Sequence, residues 1–255
     1  MLKRIAVAGC LLLGSLGSAW ADAPTYVVGA GGTYRPFEFE NSKKELEGFD
    51  IDIIKAIAKA SDFNVKLINT PWEGIFATLG TGDRDIIISG ITITDKRKQM
   101  VDFSHPYFPA EQSIVTAAGS KIDSIASLKD KKVGVVNSST GDIVVSDVLG
   151  KNSTAIKRFD NTPLVLQELH EDGIDAAVGD VGVVKYYIKT HPEKKFALVS
   201  DAKFERQYFG IAVAKGNTAL LEKINQGLAS IIADGTYAKI YKTWFDEQVP
   251  TLPAQ

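Results

Sequence analysis

Hydrophobic and polar positions along this chain follow two periods that alternate with each other. Short β-branched runs, such as residues 86–88 and 132–136, have the length and composition of buried strands. Between such runs, apolar residues recur every three or four positions, as in a helix predicted to open at residues 48–50 and to end near Ala60. Strands that alternate with amphipathic helices are typical of α/β proteins with a mostly parallel sheet. The pattern therefore predicts an α/β fold.

The same alternation continues to the C-terminus. The last helices are the most regular, with apolar residues four apart from Leu220 to Ile232 and aromatic residues lining 237–245. Further strands and extended segments are predicted at 26–30, 65–68, 111–116, 155–159, 176–179 and 207–213, and further helices at 72–79, 141–149, 162–172 and 182–189.

The first 21 residues have the composition of a secretory signal peptide. Lys3 and Arg4 form a positive end, residues 5–16 form an apolar core too short to span a bilayer, and Ala19-Trp20-Ala21 fits a cleavage site. We expect cleavage after Ala21 and export to the periplasm.

Cys10 is the single cysteine of the chain. It ends a Val-Ala-Gly-Cys run that loosely resembles a lipoprotein cleavage box, but cleavage there would leave an apolar core shorter than the usual ~7–15 residues. We therefore favour cleavage after Ala21 over a lipid anchor at Cys10. The mature protein is then expected to have no disulfide and no thiol chemistry.

Composition narrows the function classes. The chain has 255 residues, 45% of them apolar, and a formal net charge of -2, which does not indicate nucleic acid or an anionic membrane as a partner. Gly29 and Gly31 could begin the G-x-G-x-x-G pattern of a nucleotide-binding loop, but the pattern needs a glycine at position 34, where this chain has Tyr34. His105, His170 and His191 have no metal-ligand spacing. We expect no cofactor and no metal.

Candidate chemistry is concentrated after the apolar run at 86–88. Ser89 and Gly90 end that run, Thr92 adds a hydroxyl, and Arg97 lies in the first turn of a short predicted helix. A guanidinium with nearby backbone N–H groups and a hydroxyl suits a small carboxylate. The alternative is a surface turn whose basic residues face water.

The segment SGITITDKRKQMVDFSHPY resembles the signature of the polar amino-acid solute-binding proteins of bacterial ABC importers. That group includes glutamine-, lysine/arginine/ornithine- and cystine-binding proteins, and the similarity runs from about Tyr26 to Phe245. In that family the arginine of this segment, here Arg97, grips the α-carboxylate of the ligand.

The resemblance implies two Rossmann-like α/β lobes joined by a two-strand hinge, the periplasmic binding protein type II fold. Lobe 1 would comprise residues 22–108 and 210–255, and lobe 2 would comprise 112–204. The chain would cross between them at 109–111 and 205–209. Ligand would bind in the cleft between the lobes.

The resemblance also assigns the two ends of an amino acid. Arg97, the Thr92 hydroxyl and backbone N–H groups near Thr140 and Gly141 would hold the carboxylate, since residues 138–141 precede a helix N-terminus. Asp180 would hold the ammonium, with the Gly90 carbonyl. On sequence alone, a simple helix cap is the commoner role for an aspartate in the place of Asp180.

The ligand side chain would contact Tyr34 and Trp72 as aromatic walls and Asn137 at its outer end. Relatives that bind lysine or arginine carry an acid at the position of Gly31, and its absence favours a neutral polar or acidic ligand. Gly179 lacks the histidine of the glutamine-binding pattern, which argues against glutamine itself. The sequence leaves open whether Arg35 or Glu38 turns into the cleft.

These residues predict a monomeric binding protein that captures an L-amino acid by cleft closure and delivers it to an inner-membrane ABC permease. Two alternatives remain open. Cyclohexadienyl dehydratases share this scaffold, but their catalytic glutamate, three residues after the aspartate, is replaced here by Val183. The protein could also present its ligand to a chemoreceptor.

Overall fold

The computed structural model describes residues 23–253. The predicted signal peptide, its cleavage site and Cys10 lie outside the described residues. The described strands are β1 (Thr25–Ala30), β2 (Thr33–Tyr34), β3 (Glu38–Glu40), β4 (Leu46–Glu47), β5 (Asn64–Asn69), β6 (Ile86–Ile87), β7 (Val101–Phe103), β8 (Phe108–Ala110), β9 (Gln112–Ala117), β10 (Val133–Val136), β11 (Ile156–Phe159), β12 (Ala176–Asp180), β13 (Phe196–Val199), β14 (Gln207–Phe209) and β15 (Ala212–Ala214). The described α-helices are α1 (Phe49–Ala60), α2 (Ala77–Thr81), α3 (Asp95–Lys98), α4 (Thr140–Leu149), α5 (Thr162–His170), α6 (Val181–Thr190), α7 (Thr218–Ala233) and α8 (Thr236–Trp244).

One five-stranded sheet has the order β5-β1-β6-β15-β7. Its strands β5, β1 and β6 run parallel, whereas β15 is antiparallel to both of its neighbours. Helix α1 buries Ile53, Ile54 and Ile57 against the sheet and against Ile224 and Leu228 of α7. Each such isoleucine or leucine contributes about 1.5–3 kcal/mol by leaving water. We call this sheet with its helices the first lobe.

A second five-stranded sheet has the order β11-β10-β12-β9-β13. Strands β10, β11 and β12 are parallel, and β9 is antiparallel to β12 and β13. Val133 and Val135 of β10 are fully buried in a separate apolar cluster, together with Ile114 of β9. We call this sheet, with α4, α5 and α6, the second lobe. The predicted α/β class with two lobes is confirmed.

A two-stranded antiparallel ladder of β8 and β14 pairs Phe108 with Phe209 and Ala110 with Gln207. The chain enters the second sheet directly after β8 and returns to the first sheet directly after β14. The ladder is therefore a two-strand connection between the sheets. The exact lobe boundaries and the hinge crossings at 109–111 and 205–209 stay predictions.

Two predicted elements were wrong in detail. The single strand predicted at 207–213 is two strands, because β14 pairs in the connecting ladder and β15 pairs in the first sheet. The helix predicted at 72–79 is shortened to α2, since residues 71–76 form a turn that places Trp72 beside the second lobe. Among residues 23–253, no helix has the length and apolar character that crossing a bilayer requires.

Candidate functional site

Three consecutive basic residues, Lys96, Arg97 and Lys98, lie in the short helix α3, and only Arg97 is buried. Thr94 caps the short helix α3, its hydroxyl accepting a hydrogen bond from the Arg97 N–H at 3.2 Å. This turn leaves Lys96 and Lys98 exposed but buries Arg97 to 6% exposure. Burial lowers the pKa of Arg97 to about 10, so the guanidinium stays charged at neutral pH. The structure thus excludes the surface-turn alternative for Arg97.

The Arg97 guanidinium lies between the two lobes. It donates to the Thr92 carbonyl at 2.9 Å and, across the cleft, to the Ser138 carbonyl at 3.5 Å. Its carbon is 5.1 Å from the ring centre of Trp72, within the range of a cation–π contact. A guanidinium has five N–H donors, so these contacts leave donors for a further acceptor.

The loop before α4 forms the facing wall. Ser139 caps the helix by accepting from the Asp142 N–H at 3.2 Å, and Thr140 is buried with its hydroxyl 3.5 Å from that of Thr92. Gly141 does not line the cavity. A Cβ there would lie 2.7 Å from the Val178 carbonyl oxygen, so glycine is required for the loop to approach β12.

Asp180 ends β12 and precedes α6, yet its side chain makes no capping hydrogen bond to that helix. Instead its carboxylate accepts from the Tyr34 hydroxyl across the cleft and from the Gln112 amide at 2.8 Å. Burial raises the pKa of Asp180 to about 6, opposed by the hydrogen bond from Tyr34 and the charge of Arg97. The helix-cap alternative for Asp180 is therefore wrong.

Gln112 is a buried residue that supports the cleft wall and that sequence analysis missed. Its amide nitrogen donates to both Asp180 and the Thr140 hydroxyl, the latter at 3.0 Å. Gln112 therefore ties together two side chains that line the cavity, Asp180 and Thr140. Its position as the first residue of β9, after the connecting ladder, gave no periodicity signal.

The floor of the cleft contains an acidic residue, Glu38, whose orientation sequence analysis left open. Glu38 lines the cavity, is 1% exposed, and accepts from the Ser89 hydroxyl at 2.6 Å. The predicted site residues Ser89 and Gly90 also line the cavity. Gly90 has φ +51°, and its N–H donates to Asp50 at 2.8 Å. Arg35 packs instead over the Phe39 ring, at 3.4 Å from its centre.

Asn137 differs from its expected role. Its side chain is exposed and does not line the cavity, whereas its backbone carbonyl accepts from the Trp72 indole N–H at 3.0 Å. Trp72 and Tyr34 both line the cavity, as predicted for aromatic walls.

Together these residues enclose a cavity of about 360 Å³ between the lobes. That volume falls at the small end of the range for small-molecule sites, roughly 300–1,000 Å³. Contacts of Tyr34, Trp72, Thr92 and Arg97 with the second lobe bridge its walls, so the cleft is closed. One cation faces several acids in the lining, namely Arg97 against Glu38, Glu73, Asp160 and Asp180.

Residues 23–253 contain no group of three histidine, cysteine or acidic side chains placed to hold a metal ion. Val183, which stands where dehydratases carry their catalytic glutamate, lines the cavity with an apolar side chain that packs against the core of the first lobe. That position therefore supplies no proton donor or acceptor to the cleft.

The fold and the cleft define a two-lobed binding protein of the periplasmic type II class. The bacterial extracellular solute-binding proteins, family 3, match residues 26–247. The chain belongs to this family, and the resemblance stated from the sequence is confirmed.

Relatives over nearly the full chain are binding proteins. A probable histidine-binding protein from Neisseria gonorrhoeae is 40% identical over 260 residues, covering 97% of each chain. The arginine-, lysine-, histidine-binding protein ArtJ from Geobacillus stearothermophilus has a TM-score of 0.85 and 38% identity, covering 88% of this chain and 96% of that one. An ancestral arginine-binding protein bound to arginine has a TM-score of 0.83 and 42% identity, with coverages of 88% and 100%. This chain is likewise a binding protein and not an enzyme.

Proposed function

We propose that this chain captures a basic L-amino acid in the periplasm and delivers it to the membrane permease of an ABC importer. It is the amino-acid-binding component of that importer. The observation that carries the proposal is a buried cation, Arg97, and a buried acid, Asp180, on the walls of one closed cavity of about 360 Å³. A zwitterion needs both charges within the reach of one small molecule.

The carboxylate end of the ligand binds Arg97. The guanidinium is held by the Thr92 and Ser138 carbonyls, which fix its plane while leaving other N–H groups to form a bidentate pair. The hydroxyls of Thr92 and Thr140 meet at the same place, and the N–H groups at the start of α4 add positive potential.

The ammonium end binds Asp180. Tyr34 and Gln112 orient its carboxylate, and the Gly90 carbonyl with the Thr92 hydroxyl complete the acceptors around the ammonium. In the empty cleft burial disfavours ionised Asp180, as its raised pKa of about 6 indicates. A bound ammonium supplies the missing counter-charge.

The side chain of the ligand is basic, which revises the preference for a neutral or acidic ligand. That preference rested on the absence of an acid at Gly31. Glu38 takes over this role, because a Cβ built on Gly31 would lie 3.6 Å from the Glu38 Oε1 atom. The excess of acids over cations in the lining agrees with this assignment. So do the relatives described as binding histidine, arginine or lysine.

Capture works by closure about the β8–β14 connection, with crossings at 109–111 and 205–209. Arg97 belongs to the first lobe and Asp180 to the second, so only a closed cleft engages both ends of the ligand. A ligand that gains contacts only in the closed state shifts the population towards it. The permease then recognises the closed form.

Thermal unfolding of the mature protein against the twenty L-amino acids and prephenate tests this function. A ligand that binds only the folded state raises stability by ~2.7 kcal/mol at a hundred times its dissociation constant. We expect shifts with arginine, lysine or histidine. A shift with prephenate alone would favour dehydratase-like chemistry, and a shift with no amino acid would refute the proposal.

A further inference from the structure

Two carboxyl groups lie together beneath the cleft. Glu38 is 1% exposed and Asp50 is fully buried at the start of α1. Each has one oxygen engaged, by the Ser89 hydroxyl at 2.6 Å and by the Gly90 N–H at 2.8 Å. The other two oxygens, Glu38 Oε2 and Asp50 Oδ1, are buried without a well-formed hydrogen bond to a described residue, although the Tyr107 hydroxyl lies near enough to Asp50 to lower its pKa. They lie close enough for one carboxyl to donate to the other when it carries a proton.

No lysine or arginine side chain faces this pair among the described neighbours. Burial and the charge of Asp50 raise the pKa of Glu38 well above its usual range, and burial raises that of Asp50 to about 6. A proton shared between the two carboxyls would offset the repulsion within this buried pair. The titratable groups that face the pair are Tyr34 from β2, Tyr107 from the segment before β8, Tyr237 from α8, and Asp180 from β12, behind which lies Arg97.

We propose that the Glu38–Asp50 pair exchanges its shared proton for the cationic side chain of the ligand. The inference rests on the proposed function, since it needs a basic amino acid in this cleft. When a guanidinium or ammonium enters, the proton leaves the carboxyl pair for solvent. Glu38, which lines the cavity, then accepts from the cation, and the charge of Asp50 lies directly behind it. When a neutral imidazole enters, the same proton passes to the ring nitrogen, and none is released.

The exchange gives the site a means of selection. A neutral side chain leaves the proton in place and gains only a neutral hydrogen bond. A cation gains a charge-assisted pair in a site screened from water, which is roughly twice as strong. Over the pH range in which the free protein holds this proton, the affinity for arginine should therefore rise with pH. The affinity for glutamine should not show this rise.

Calorimetric titration in two buffers of different ionisation enthalpy measures the protons exchanged. L-arginine, L-histidine and L-glutamine present the same carboxylate and ammonium, so subtracting the glutamine value removes the contribution of Asp180. At pH 7.5 we expect arginine to release about one proton more than glutamine, and histidine to release none in excess.

Glu38→Gln keeps the size of the side chain and removes its charge. In this variant the excess proton release should vanish, and arginine affinity should fall at least about 30-fold, with less than about threefold change for glutamine. Glu40→Gln is the matched control, because Glu40 is on the same strand, pairs with Lys44 and does not line the cavity. It should keep the wild-type proton count.

The outcomes separate the inference from the proposed function. Arginine that binds with the same proton count as glutamine would overturn the exchange and leave amino-acid capture intact. Binding of glutamine without arginine, lysine or histidine would overturn the basic side-chain assignment and the exchange with it. Binding of no amino acid would refute the function itself. The wild-type titrations decide the question even if the Glu38→Gln variant does not fold.

Discussion

The two lobes meet on two faces, and the contacts there differ both in burial and in charge pairing. In the cleft, Tyr34 donates to Asp180 and Arg97 donates to the Ser138 carbonyl, and the side chains of Tyr34, Asp180 and Arg97 line the cavity. On the opposite side of the connecting ladder, α6 reaches the end of the first lobe through two lysine–carboxylate pairs. Lys185–Glu247, at 2.8 Å, and Lys189–Asp246 have side chains 51–83% exposed.

This difference in burial between the two faces bears on how much each contact can contribute to ligand binding. Exposed ion pairs are screened by water and salt and contribute little. Buried groups are worth more when they are paired and cost more when they are not. Under the proposed function, the cleft is the side on which a ligand would change the free energy of closure, because Arg97 and Asp180 lie on its walls.

Removing the cation from the cleft should have the largest effect. Arg97→Ala should weaken amino-acid binding at least about 100-fold, because the ligand carboxylate then lies in a site without its charge partner. Calorimetry measures the loss. Lys98→Ala removes an exposed charge one residue away and should leave the affinity unchanged. Near-native binding by Arg97→Ala would break the assignment of the carboxylate site.

Neutralising the acid should come next. Asp180→Asn keeps the hydrogen bonds with Tyr34 and Gln112 within reach but removes the counter-charge of the ligand ammonium. We expect binding to weaken about 30- to 100-fold for every amino acid alike. An effect confined to basic amino acids would instead place Asp180 at the side-chain end of the ligand.

A smaller effect should follow from Gln112→Leu, which preserves volume and removes the donor shared by Asp180 and Thr140. Gln112 acts through those two residues, so affinity should fall about tenfold. The pH at which binding is lost should rise as well, because Asp180 loses a hydrogen bond that favours its ionised form. A loss of affinity with an unchanged pH profile would indicate a packing role only.

The smallest effect should come from the face opposite the cleft. Lys189→Ala breaks an exposed pair with Asp246, and we expect the unfolding midpoint and the ligand affinity to stay within measurement error. A clear rise in ligand affinity would contradict this expectation, since it would mean that the pair stabilises the open form of the cleft.

The sequence predicted those elements and site residues whose pattern lies within a short segment of the chain. Arg97 lies in a short segment in which strand end, hydroxyl and basic residue follow one another, and the family resemblance added its role. Asp180 ends an apolar strand in the same way. Helix α7 could be predicted because its apolar period is local.

Residues that are buried through distant contacts were missed by sequence analysis or, like Glu38, were left open by it. Glu38 meets Ser89 across 51 positions, Asp50 meets Gly90 across 40, and Gln112 meets Asp180 across 68. Nothing in the neighbourhood of each residue in the sequence records these distances. The split of residues 207–213 into β14 and β15 was missed for the same reason, since the two halves pair with different partners.

The most direct test of two-ended capture is to remove each end of the ligand in turn. Affinity should be measured for the amino acid that shifts unfolding most, for its decarboxylated amine and for its α-keto acid. We predict that both truncated compounds bind at least about 100-fold more weakly, because each leaves Arg97 or Asp180 without its partner. A truncated compound that binds within tenfold of the amino acid would contradict the account.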